Sequence, residues 1–297
     1  MANKMFFRLY IYMNISYPIF VENSNYSKLR CNSGISYTSK NNLGVLDFGK
    51  DDFFVKIKGY GKNEDWAREI IRAADNAVNL IKLRNSAETV LINITDGVRK
   101  ANLFTGDLAK QKLTGLLRAQ RSGWNSSSAL SDLLITKYSS AQNCRYKVYY
   151  NRLNEVYLNP LWNPYYNFGL TVVEHKKDVK YLAHAESIYV NNAMDRVGTL
   201  YYKIINNFLG KPLSKDNMEN LHASIAEIRW ILAHSTPWER GSDAISNVFM
   251  RSIYKALGIK MSPLKQNVSL DLEAYCTNLS DYKVKFADYF EKSPQIV

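Results

Sequence analysis

The chain has 297 residues, room for one large domain or two modest ones, and its 46% hydrophobic and 13% aromatic content suits a globular core rich in polar-tipped tyrosine. Its formal charge of +12 favours anions, but the basic residues form no run of five and no nucleic-acid-binding motif occurs. That points away from nucleic acid as the main partner and towards a phosphate-bearing small ligand. No stretch of about 18 uninterrupted apolar residues is present to span a membrane. Cys31, Cys144 and Cys276 are odd in number, far apart and without C-x-x-C spacing, which argues against a disulfide scaffold and against zinc and suits a reducing compartment.

In chain order, MANKMFFRLYIYMNISYPIF has no small-residue cleavage site and reads as a buried strand rather than a secretory signal. Residues 1–62 form a β-rich, irregular segment expected to pack on a helical core over 63–297 as one compact unit. SGISYTSK, LGVLDFG and DDFFVKIKG are its candidate strands. Asn63 or Asp65 can cap a helix through Arg84, with Trp66, Ile70, Ala74, Ala77 and Ile81 on one face. Further helices are expected over Ala87–Ala101 and Leu108–Arg121. SGWNSSSALSD is a polar loop. RYKVYYNRLNEVYLNP reads as a tyrosine-rich β-hairpin turning near Arg152–Asn154, and Pro160 and Pro164 forbid regular structure across LNPLWNPYYN. From about Tyr189 onward the pattern is helical. The fold class is therefore α+β, mostly helical.

Two of these helices flank the stretch LAHSTPWERGSDAISN. Ser214 can cap the first, whose stripe is Met218, Leu221, Ile225, Ile228 and Leu232, and Pro237 ends it. Ser242 or Asp243 can cap the second, which carries Ile245, Phe249, Ile253 and Leu257 and closes at Gly258. A helix N-terminus favours an anion, Arg240 adds a forked cation, and Gly241 permits close backbone approach. From these local signals alone the better reading of Arg240 is a surface charge in an ordinary αα-hairpin, because helix N-termini with a nearby Arg are common.

Beyond these local signals, IRWILAHSTPWERGSDAISNVFMRSIYKALGI and KMSPLKQNVSLDLEAY resemble the C-terminal core of the AvrB avirulence effectors of plant-pathogenic bacteria. Those carry a Trp-containing helix, a turn M-P-x-x-R-G-S-A, a helix ending in G-I, an L-P-P segment and an acid before E-A. Trp230, Pro237, Arg240, Gly241, Ser242, Gly258, Ile259, Pro263, Asp271, Glu273 and Ala274 fit that pattern, over about Leu213–Lys292. The resemblance implies a Fido-like helical core, as in the Fic and Doc proteins. Fic AMP-transferases carry H-P-F-x-D/E-G-N-G-R in this turn. Here Thr236 stands at the histidine, Arg240 at the acid, Ser242 at the asparagine and Ala244 at the last arginine, so the Fic mechanism lacks its groups.

Instead, the resemblance implies a secreted bacterial effector acting in the host cell, in the cytosol or at the inner face of the plasma membrane. Its implied reaction moves a sugar from a nucleotide-sugar of the dTDP-rhamnose type onto a serine or threonine hydroxyl of a host protein. Arg240 and Asp271 are the implied catalytic pair, and Arg240, Gly241 and Ser242 hold the nucleotide. ALSDLLITKY matches the family's upstream pocket segment, nominating Ser131 and Tyr138, and His184 stands nearest the family's pocket histidine. Asp271 reads alternatively as the cap of a helix over Leu272–Thr277, and His234 as a helix C-terminal histidine bound to carbonyls. No metal-ligand cluster, nucleophile elbow or P-loop is visible. Nucleotidyl transfer or nucleotide hydrolysis in the same pocket, and a non-catalytic nucleotide- and host-protein-binding module, remain as alternatives.

Overall fold

The computed structural model describes residues 46–56, 62–106, 112–117, 124–126, 149–150, 169–170, 173–175, 179–183 and 187–297. These are mostly helical. The helices are α1 (Glu64–Lys82), α2 (Ala87–Ala101), α3 (Ser187–Phe208), α4 (Lys215–Ser235), α5 (Ser242–Ala256), α6 (Leu270–Cys276) and α7 (Leu279–Lys285). The strands are short: β1 (Trp124–Ser126), β2 (Tyr149–Tyr150), β3 (Gly169–Leu170), β4 (Val173–His175), β5 (Val179–Ala183), β6 (Ile259–Lys260) and β7 (Gln295–Ile296). They form antiparallel sheets ordered β1-β5-β4, β2-β3 and β6-β7. Among the described residues no helix is long and apolar enough to cross a membrane.

Helix α1 starts where Asn63 accepts a hydrogen bond from the Trp66 N–H, and Ser86 caps α2 the same way through Thr89. The inner face of α1 is built largely of alanine: Ala67, Ala73, Ala74 and Ala77 are buried around Ile70 and Ile81. Such small side chains let α2 approach closely. Gly97 of α2 lies directly over Ala73. On α4 the stripe is only half of the observation. From Ile225 to Ser235 every residue is buried, on all faces of the helix. That is the signature of a central helix, and α3, α5, α6 and α7 surround it.

Several expectations change at the periphery. Residues 1–45 and 57–61, with SGISYTSK among them, lie outside the described residues. The described part of DDFFVKIKG begins in a 3₁₀ turn over Lys50–Phe53 rather than a strand, because Asp52 folds back to accept the Gly49 N–H at 2.7 Å. LGVLDFG shows no strand over 46–49. Phe48 and Phe53 pack edge to face and Phe54 stacks on Trp66, which seats this stretch on the helices. The helix expected over Leu108–Arg121 stops at Leu113, where Gly115 takes a φ of 74° and the backbone bonds to another segment instead. Trp124–Ser126, expected as loop, pairs with Tyr181–Ala183, and Tyr149–Tyr150 of the proposed hairpin pairs with Gly169–Leu170. The remaining hairpin residues lie outside the described set. Pairings this distant in sequence leave little local trace.

The Gly97 contact gives a direct test of helix packing. Alanine at a helical glycine ordinarily gains about 0.5–1 kcal/mol. Here its Cβ would sit 2.3 Å from Ala73 Cβ, so the helices must part. Overpacking of that kind costs about 1–3 kcal/mol, and it should win. Gly97→Ala is expected to lower stability in urea denaturation, and a neutral or stabilised variant would refute the α1–α2 contact.

Candidate functional site

The turn between α4 and α5 begins at Thr236, the C-cap of α4, which holds the left-handed conformation (φ 38°, ψ 60°) despite its β-branched side chain. For a β-branched residue that is an outlier. Trp238, next to Pro237 in the chain, is buried. Segment Leu113–Leu117 lies along the turn: Gly115 N donates to Arg240 O at 3.2 Å and Glu239 N to Leu116 O at 2.8 Å. Arg240 is exposed, and its guanidinium makes no hydrogen bond or ion pair among the described residues.

Gly241 does something other than admit a ligand. It is the N-cap of α5, at φ 85°, and an added Cβ would come within 3.0 Å of Thr114 Cγ2. Its lack of a side chain serves the left-handed cap and the contact with Thr114. Neither Ser242 nor Asp243 caps the helix as expected, since α5 already begins at Ser242. The Ser242 hydroxyl donates to the Trp238 carbonyl at 3.2 Å. Asp243 turns towards α4.

There it meets Arg229, which no motif in the sequence marks. Arg229 is buried in the middle of α4, and its two terminal nitrogens donate to different carboxylates. One bonds Asp271 of α6 at 2.5 Å, and the other bonds Asp243 of α5. Side-chain exposure is 1% for Arg229, 13% for Asp271 and 38% for Asp243, so the cluster runs from the interior to the surface. Arg229 Nε has no hydrogen-bond partner, a cost that the two charged bonds must exceed. A signal was nevertheless present: an arginine inside IAEIRWILAH has no solvent face if the helix is buried, and a buried charge requires a partner.

Asp271 does not cap α6. The N-cap is Ser269, and the Asp271 carboxylate is committed to Arg229. Burial pushes the Asp271 carboxyl up to about 7, against the pull of Arg229; Asp243 adds to the rise through its charge and a hydrogen bond. Burial works to lower the Arg229 pKa, but Asp271 and Asp243 outweigh it and hold the guanidinium charged. His234, in the last turn of α4, is buried, tilts over Trp230 with ring centres 4.0 Å apart, and reaches the Ala274 carbonyl of α6 at 3.2 Å. The structure thus joins Asp271 to the α5 N-terminus through Arg229 and places Arg240, Gly241 and Ser242 in the adjoining turn. Ser131, Tyr138 and His184 lie outside the described residues. Among the described residues no group of acids, histidines and cysteines could hold a metal ion.

Removing the arginine should expose how the cluster is balanced. Arg229→Met leaves two carboxylates facing each other with no cation, a loss on the order of 3–5 kcal/mol. The pH dependence follows from the direction of the Asp271 shift. With a folded pKa raised from 3.8 to about 7, the group's contribution is full below the lower value and is lost as pH rises through the upper one. Without Arg229 the ionised form is penalised further. The deficit of Arg229→Met relative to wild type should be larger at pH 8 than at pH 5 in chemical denaturation. A deficit independent of pH would contradict this account of the cluster.

Comparison with known proteins covers the same region. No curated protein matches the chain. One family model does, over residues 161–293, a span that contains α3 to α7, the turn and all three members of the Arg229 cluster. Over that span the C-terminal part of this chain is thus similar to the AvrB_AvrC family, described as avirulence protein.

Proposed function

We propose that the chain is a bacterial avirulence effector, delivered into a host cell, whose Fido-like core transfers a sugar from a nucleotide-sugar to a serine or threonine hydroxyl of a host protein. The observation that carries this reading is Asp271, a buried carboxylate oriented by a buried arginine, with burial pushing its pKa up to about 7. A general base works best with a pKa close to the working pH. In the proposed reaction Asp271 takes the proton of the acceptor hydroxyl as its oxygen bonds to the anomeric carbon. The bond from that carbon to the diphosphate breaks, and the nucleoside diphosphate leaves with the electron pair. Arg240, exposed beside the α5 N-terminus and without an ion pair among the described residues, is a cation available to the leaving diphosphate, with Gly241 and Ser242 in the same turn. Ser131, Tyr138 and His184 would complete the nucleotide pocket. Arg229 is already neutralised by its carboxylates and serves orientation rather than anion binding.

The test combines intact-mass analysis of host proteins with two variants. Wild-type protein with a nucleotide-sugar should add a hexose- or deoxyhexose-sized mass to an acceptor. The rate should rise with pH through about 7, where Asp271 ionises. Asp271→Asn should abolish the addition. Arg240→Ala should weaken nucleotide binding by about 1.5–3 kcal/mol, the worth of a charge-assisted contact. Its melting temperature should stay nearly unchanged, because exposed substitutions stay within about 0.5 kcal/mol. A nucleotide-sized addition would favour nucleotidyl transfer. No addition, with host-protein capture intact in Arg240→Ala, would leave a binding module.

A further inference from the structure

Beside the turn that carries Arg240, the chain leaves leucine in water. Arg99 Nε donates to the Thr114 carbonyl at 2.9 Å, Asn102 Nδ2 to the Thr114 hydroxyl at 2.7 Å, and Gly115 N to the Arg240 carbonyl at 3.2 Å. The end of α2, segment Leu113–Leu117 and the turn therefore meet at Thr114. Leu103 and Phe104 follow Asn102 in a 3₁₀ turn over Asn102–Thr105, and Leu113, Leu116 and Leu117 lie on either side of Thr114. All five residues are exposed, by 37% to 59%. Single exposed leucines are ordinary, but five large apolar residues about one junction mark a surface that a partner covers.

The rim of this surface is basic. Lys100, Lys112 and Arg240 are exposed and make no ion pair among the described residues. The acids nearby are largely committed. Asp96 lies 3.5 Å from Arg99, and Glu239 in the turn is half-buried. Asn63 bonds the Phe104 carbonyl, and the acids that follow it, Glu64 and Asp65, pair with Lys50 and Arg68.

We propose that this leucine-lined, basic surface docks the acceptor protein of the transfer, through a segment of that protein that combines apolar and acidic side chains. The partner's role as acceptor rests on the transfer reading; its chemistry rests on the surface. Apolar side chains of the segment cover Leu103, Phe104 and the three leucines about Thr114. Its carboxylates meet Lys100 and Lys112, while a basic segment is repelled. Continuity with the turn favours a protein over a lipid surface. Glu239 N donates to the Leu116 carbonyl at 2.8 Å, so a chain seated on these leucines lies against the backbone that holds Arg240. A hydroxyl beside its apolar anchor is thereby brought to the turn. The leucines also come from a 3₁₀ turn and a short separate segment, not from the one continuous amphipathic helix that lies down in a membrane interface.

The experiment uses the full chain and two synthetic peptides, each with one threonine among leucines, one with glutamate at the remaining positions and the other with lysine. Fluorescence anisotropy should show the glutamate peptide binding about tenfold more tightly, the worth of one buried anchor or charge contact. The preference should shrink as salt is added. Leu116→Ser with Leu117→Ser should weaken binding of the glutamate peptide about tenfold. Lys100→Glu with Lys112→Glu should turn the preference towards the lysine peptide, a gain that a folding defect does not produce. With a nucleotide-sugar present, both double variants should raise KM for the glutamate peptide and leave kcat unchanged. Equal binding of the two peptides by the wild type, or none, would overturn the docking surface without any variant. Discrimination that survives in both double variants would overturn it as well. Sedimentation with phosphatidylserine vesicles, lost in the double variants of a protein that does not discriminate the peptides, would give the surface to a membrane and overturn it too. Discriminating, variant-sensitive binding without sugar addition would sustain the surface and remove the transfer reading. Sugar addition with a KM that neither double variant moves would do the reverse.

Discussion

A positive charge in the middle of a buried helix sets the constraints on this molecule. Arg229 cannot reach solvent from the centre of α4, so the chain must bring anions to it. Desolvating a guanidinium costs several kcal/mol, and only close, well-oriented charge partners offset it. Asp271 and Asp243 do so, and each belongs to a different helix. Their pairing therefore fixes α5 and α6 against α4 and sets the direction from which the Thr236–Gly241 turn is presented. Two residues earlier on the same helix the polarity is reversed. Glu227 is a buried carboxylate held between Arg196 of α3 and Lys283 of α7. Burial works to raise the Glu227 pKa, but Lys283 and Arg196 outweigh it and bring it below 4.5, so this contribution is present above that value and lost as pH falls. The two clusters respond to pH in opposite senses, one to acid and the other to base.

A second buried cation ties in the N-terminal stretch. Arg251 of α5 bonds Asn247 and the Ser262 carbonyl, lies 3.6 Å from Asp52, and sits over the rings of Phe53 and Phe290. Burial lowers its pKa to about 10, still well above neutrality. α5 therefore carries Asp243 at its exposed start and an arginine in its interior. It connects the surface turn to the core.

How much of this the sequence discloses depends on how local the cause is. Asn63, Ser86 and Ser214 act on the next few residues, and the helices they cap lie where the pattern places them. The stripes of α4 and α5 are legible for the same reason. What the pattern hides is long-range. Asp243 looks like a cap because Asp commonly is one, and only the position of Arg229 on another helix shows otherwise. Gly241 looks like a ligand-approach glycine until Thr114 is found against it, more than a hundred residues away in the chain. The pairing of Trp124–Ser126 with β5 has the same character. For the site, the family pattern indicates Arg240 and Asp271 by position. The residue that connects Asp271 to the turn was legible only as an anomaly, a charge where the surrounding run is apolar.

The central claim is that Arg229 and Asp271 hold each other in a dry, oriented contact. A double-mutant cycle of Arg229→Met and Asp271→Asn, followed by urea denaturation at pH 8, measures that contact most directly. Charged hydrogen bonds of this kind are worth about 1.5–3 kcal/mol, so the cycle is expected to return a coupling of about that size. Effects that add to within about 0.5 kcal/mol would mean that the two residues act independently, and would contradict the account.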